Sequence, residues 1–141
     1  MDALLPVLET TDPDVRKFIV DILGDIRDLR GVPSMIQRIE DPDENMRVAA
    51  AEALGKIRDP RAVDALLACL NRAGQGWLDY AAAEALGEIG DRRALEPLIA
   101  ALGRSSLREP VLESLGKIGN VETVAPLVAS LADPLRIVRE V

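Results

Sequence analysis

Histidine is absent from this sequence of 141 residues, cysteine occurs once (Cys69), and the only aromatic residues are Phe18, Trp77 and Tyr80. Without histidine, neither a Ser-His-Asp nor a Cys-His catalytic pair can be assembled within the chain. A lone cysteine supports neither a disulfide framework nor a zinc site of the Cys/His kind, so no metal site and no cofactor are expected. Lysine is also scarce, at Lys17, Lys56 and Lys117 of 17 basic residues, and the remainder are arginines, the cations better suited to forked pairing with carboxylates. Positive charge is in deficit overall. The net charge of −7 and a pI near 4.6 argue against nucleic acid and anionic membrane as partners, since both attract a surplus of Lys and Arg. No apolar run approaches the length of a membrane span, and the first residues lack the basic and apolar regions of a signal peptide, so a cytoplasmic protein is expected.

What is present is an alanine- and leucine-rich chain, 48% hydrophobic and 29% charged, which suits close-packed helices. It is built on an internal repeat. The fragments Ile22-Leu23-Gly24-Asp25-Ile26, Ala53-Leu54-Gly55-Lys56-Ile57, Ala85-Leu86-Gly87-Glu88-Ile89 and Ser114-Leu115-Gly116-Lys117-Ile118 recur at glycine spacings of 31, 32 and 29 residues, about one helical hairpin each. Before each glycine lies an apolar face of helical spacing, such as Val15, Ile19, Ile22, Leu23 and Ile26, or Met46, Ala50, Ala53, Leu54 and Ile57. After each glycine comes a second, shorter face, such as Val63, Leu66, Leu67 and Leu70.

Each unit therefore reads as an A helix followed by a B helix, with A at about 13–28, 42–57, 76–89 and 106–118, and B at about 32–40, 60–71, 92–103 and 121–132. Asp12-Pro13, Asp41-Pro42, Asp59-Pro60 and Asp133-Pro134 supply capping carboxylates followed by proline at the first helical position, and Asp41 with Glu44 and Ser106 with Glu109 have capping-box spacing. The domain plan is a half-repeat at 1–11, repeats at 12–40, 41–71, 72–103 and 104–132, and a half-repeat at 133–141. Half-repeats at both ends are expected either in a piece of a longer array or in a chain that stacks end to end, and light scattering separates the two.

The unit from Asp41 to Leu70, with its Asp-Pro, Val-Arg, Glu-Ala-Leu-Gly-x-Ile and trailing Leu-Leu elements, resembles the short HEAT-like repeats of the phycobilin-lyase type. The resemblance covers the whole chain. It implies an all-α fold, a right-handed α-solenoid of about four helix-turn-helix repeats with A helices on the convex side and B helices lining a concave surface that holds other macromolecules. By the same analogy Arg16, Arg47, Arg108 and Arg139 are ladder residues that tie an A helix to the Asp-containing loop of an adjoining repeat. A column of carboxylates follows five residues later, at Asp21, Glu52, Glu84 and Glu113, and is read as structural too. The concave row would contain Ser34, Gln37, Arg38, Ala65, Ala68, Cys69, Pro97 and Ala100, a shallow and nearly uncharged groove. With so few polar groups it is a surface for an apolar peptide or helix rather than for catalysis.

The third unit breaks the pattern. Asn71-Arg72-Ala73-Gly74-Gln75-Gly76 replaces the Asp-Pro entry, and Trp77-Leu78-Asp79-Tyr80 puts two aromatics and an acid where unit two has Asn45-Met46-Arg47-Val48. Two expectations follow: Trp77, Asp79 and Tyr80 form a contact patch for a partner, or Trp77 packs over the junction between the second and third A helices. The functional expectation is a non-catalytic protein-interaction scaffold, binding a protein or peptide partner and no nucleic acid. The resemblance supplies an alternative, an accessory or catalytic component of bilin attachment, and a more remote one, a nucleic-acid module like the HEAT-like DNA glycosylases.

Overall fold

The computed structural model describes residues 12–71 and 76–119. Within them seven α-helices alternate between two layers. The A helices are α1 (Pro13–Ile26), α3 (Glu44–Ile57), α5 (Trp77–Ile89) and α7 (Arg108–Ile118). The B helices are α2 (Val32–Arg38), α4 (Val63–Asn71) and α6 (Leu95–Ala101). Each A helix packs on the next, and each B helix packs on the A helix that follows it, which makes the chain an α-solenoid. The half-repeats at 1–11 and 133–141, the fourth B helix and Arg139 lie outside the described residues.

The glycine of the Leu-Gly-x-Ile motif sets the spacing of the A layer. A β-carbon on Gly24 would lie 2.9 Å from the Cα and Cβ of Ala53 on the next A helix, and one on Gly55 would meet Ala85 at 2.9 and 3.0 Å. On Gly87 it would fall 2.6 Å from the Cβ and 2.7 Å from the Cα of Ser114. Glycine on one helix thus faces alanine or serine on its successor, and the backbones approach without an intervening side chain. The leucines that precede these glycines, Leu23, Leu54, Leu86 and Leu115, are all buried, each contributing roughly 2 kcal/mol of transfer free energy. Ser114 adds a buried cross-helix bond, its hydroxyl donating to the Ala83 carbonyl at 2.7 Å.

Several boundaries differ from the sequence reading because aspartates cap turns as readily as helices. Asp28, Asp59 and Asp91 each accept from the backbone N–H two residues on, and each opens a one-turn 3₁₀ segment, Leu29–Gly31, Pro60–Ala62 and Arg92–Ala94, from which the B helix continues. Asp41 is not the cap of the second A helix. It accepts from the Asp43 N–H at 2.9 Å, and Asp43 caps α3 by accepting from Asn45. Ser106 sits in another 3₁₀ turn, Ser105–Leu107, and α7 starts at Arg108 without a side-chain cap. Val15 and Ile26, read as core, are exposed together with Phe18 at 65%. In the interior repeats that face is covered by the preceding A helix, and no described helix precedes α1.

Candidate interaction surface

The charged positions fall into three rows across the A layer. In the arginine row, Arg16 lies 3.6 Å from the buried Asp41 carboxylate in the loop that enters the next repeat, where Arg38 approaches it at 3.7 Å. Arg47 donates to the carbonyls of Asp41 and Pro42, at 2.8 and 3.2 Å, in the loop leading into its own helix, and Arg108 reaches the Leu102 carbonyl at 3.4 Å. The third unit inverts this rung. Asp79 occupies the arginine position, is 2% exposed, and is bonded by Arg104, which lies 25 residues downstream as Asp41 does from Arg16. Arg104 also donates to the Leu70 carbonyl at 2.9 Å. Asp79 therefore belongs to the interior, with acid and base exchanged, and not to a surface patch.

The carboxylate row, Asp21, Glu52, Glu84 and Glu113, lies on the outside of the A layer and does not bridge repeats. Asp21 accepts from Lys17 on its own helix at 3.1 Å, and Glu113 pairs with Lys117, also on its own helix, at 3.7 Å. Inter-repeat bridging falls instead to the variable residue of Leu-Gly-x-Ile, whose sign alternates along the chain: Asp25, Lys56, Glu88, Lys117. Lys56 donates to Asp25 at 2.7 Å and Lys117 to Glu88, while Arg58 reaches Glu88 at 3.2 Å. Hydrogen bonding from Lys117 holds the Glu88 carboxyl below its usual range, and Asp25 raises Lys56. That alternation is visible in the sequence once the four motifs are aligned.

A further row was also missed. Arg61 and Arg93 fold back on Asp59 and Asp91 and then extend to the preceding A-to-B turn, donating to the Leu29 carbonyl at 3.1 Å and the Pro60 carbonyl at 3.4 Å. The repeated Asp-x-Arg at 28–30, 59–61 and 91–93 was its signal. These guanidiniums depress Asp28, Asp59 and Asp91, which keeps the turns capped through the mildly acidic range.

In the B layer, Ser34, Arg38, Ala65 and Ala68 are half-buried and Gln37 is exposed, but Cys69 is 1% exposed. Three residues after Leu66, its thiol joins the apolar stripe and is part of the core rather than the groove.

The most open aromatic surface lies at the start of α5. Gly76 enters the helix at φ +63°, a conformation that favours glycine, with the Glu44 carboxylate 3.0 Å from where a β-carbon would stand. Trp77 and Tyr80, three residues apart, share one face of α5, with ring centroids 5.8 Å apart and planes at 63°, an edge-to-face pair. Trp77 is 70% exposed, so it does not seal the junction with α3. The two rings form one wall of a cleft of about 600 Å³ whose other wall is Ser106 and Leu107 and whose floor is the Asp79–Arg104 pair. Burial, with Glu109, Glu84 and Glu113 nearby, pushes the Tyr80 phenol up, so it stays protonated and can donate. The cleft offers aromatic faces and hydroxyls. Its lining carboxylate is occupied by arginine, an arrangement suited to contact and not to proton transfer.

A family model described as HEAT repeats matches residues 1–77 and 75–141. No curated protein matches the sequence. Among solved structures, the chain is similar to one in the complex of CpcE and CpcF of phycocyanin lyase from Nostoc sp. PCC7120, at 27% identity and a TM-score of 0.78. The match covers 94% of this chain and 57% of that one. Among the described residues, no helix is long and apolar enough to cross a membrane.

Proposed function

Because the chain belongs to the HEAT-repeat family, we propose that it holds a partner protein or peptide without catalysing a reaction, and that the cleft under Trp77 and Tyr80 is its contact surface. The observation that carries this is the exposure of Trp77. Trp77, the sole tryptophan, is the most exposed large hydrophobic side chain among the described residues and stands beside a formed cleft, and covering such a side chain is worth roughly 2 kcal/mol or more. The bond from Arg104 to Asp79 ties the loop that carries Ser106 and Leu107 to the helix that carries the two rings.

The test pairs the chain with its Trp77→Ala/Tyr80→Ala variant as baits. Trp77→Ala alone is expected to shift stability by no more than about 0.5 kcal/mol, since the ring rests on little of the core. Its melting temperature, read by circular dichroism, should stay within a few degrees of the parent. A partner retained by the parent and lost by the folded double variant supports the proposal, and equal retention by both refutes the cleft as its site.

The similarity to a phycocyanin lyase chain favours a second reading, an accessory or catalytic component of bilin attachment. Addition of a bilin to the chain would then shift its visible absorption, and an unchanged spectrum counts against that reading.

A further inference from the structure

The surroundings of the aromatic pair are acidic, and beyond Asp79 three of the acids take part in no ion pair among the described residues. Trp77, Tyr80 and Glu84 follow one another at i, i+3 and i+7 along the outer face of α5. Glu44 stands beside Gly76 at one end of the cleft, and Glu109 is the foremost of the charges acting on Tyr80 at the other. No ion pair among the described residues engages Glu44, Glu84 or Glu109. The local cations are committed elsewhere: Arg104 to Asp79 and the Leu70 carbonyl, Arg108 to the Leu102 carbonyl, Lys117 to Glu88 and Glu113. Burial and the facing Glu113 and Glu52 push the Glu84 carboxyl up against the opposing pull of Lys117, so its charged form is held at a cost that a further bound cation would relieve.

Resting on the cleft as the contact surface, we propose that its partner is a basic peptide segment, with one arginine stacked on Trp77 and neighbouring cations on Glu84 and Glu109. An exposed indole is the best of the aromatic faces for a guanidinium, and the flanking carboxylates make the same position electrostatically complementary. An acidic segment would meet like charge at both ends of the cleft. A neutral apolar segment would leave Glu84 as it stands.

Trp77 is the sole tryptophan, so its fluorescence reports the site directly. The chain is titrated with three capped peptides of equal length: alternating arginine and glycine, alternating glutamate and glycine, and alternating leucine and glycine. The arginine peptide is expected to change Trp77 emission saturably, while the glutamate peptide has no effect. Glu84→Gln/Glu109→Gln should weaken arginine-peptide binding about tenfold, equivalent to ~1.4 kcal/mol. Its melting temperature should be equal to or above the parent's, which separates lost binding from lost structure. Asp64→Asn/Glu96→Gln, which removes the same charge from the B layer, should leave binding within about twofold. Equal weakening by both double variants would show diffuse attraction to an acidic protein and overturn the proposal. Preference for the leucine peptide would overturn it too while leaving the cleft as a contact surface, and silence of Trp77 towards all three peptides would count against the cleft itself.

Discussion

Gly87→Ala is expected to destabilise the chain by about 3 kcal/mol, at the upper end of what one inserted methyl costs in a packed core. The new β-carbon would fall within 2.7 Å of the Ser114 backbone, so the conflict cannot be relieved by rotating a side chain. Helices α5 and α7 would have to separate, weakening the Ser114 to Ala83 bond as well. For a domain of this size the melting temperature should fall by roughly 10 °C. Since stability in a solenoid is carried by interfaces between neighbours, the damage should be local. Hydrogen exchange should quicken in α7 far more than in α1. The matched comparison is Gly116→Ala: among the described residues a β-carbon there meets nothing within 4 Å, and removing a glycine from a helix should stabilise by up to about 1 kcal/mol. If both variants melt alike, close contact through glycine is not what sets the spacing of the A layer.

Arg104→Met is the second large effect. It takes the Arg104 guanidinium away from the Asp79 carboxylate, 2% exposed, and truncating one member of a buried pair costs roughly 3 kcal/mol. The partial exposure of Arg104 sets this at the low end of such losses, and the bond to Leu70 is lost with it. The informative variant is the exchange Asp79→Arg/Arg104→Asp. It would give the third rung the orientation that Arg16 and Asp41 already hold in the first, so urea denaturation should show most of the loss recovered, with a coupling energy of at least about 1 kcal/mol in the double-mutant cycle. An exchange variant no more stable than Arg104→Met would mean that the two rungs do not share one geometry.

The fold was legible because its determinants are periodic. Four copies of Leu-Gly-x-Ile place the glycine contacts and the buried leucines, and the apolar faces before and after them place the two layers. The 3₁₀ turns were not legible, since Asp-Pro precedes a helix at Asp12 and a turn at Asp59 with the same local chemistry, and tertiary packing decides which follows. The surface was harder. Trp77 and Tyr80 were visible as a break in the repeat, and only the structure shows Trp77 in solvent above a cleft. Asp79 was grouped with them because it is charged and adjacent, yet one residue's difference along a helix turns a side chain by about 100°, from the cleft wall into the interface. Cys69 misled for the same reason. The acids that flank the aromatics, Glu44 and Glu109, come from two other helices, and no pattern within one repeat connects them.

The alternation of Asp25, Lys56, Glu88 and Lys117 gives the array a parity. Asp25 pairs with Lys56 and Glu88 with Lys117 through this row, Arg58 reaches Glu88 at the joint between them, and units one apart carry like sign. Excising a single internal repeat would set Asp25 against Glu88, or Lys56 against Lys117, and duplicating one would create the same conflict at the new joint. The row tolerates growth or loss by even numbers of units, so the natural building block for lengthening this solenoid is the pair.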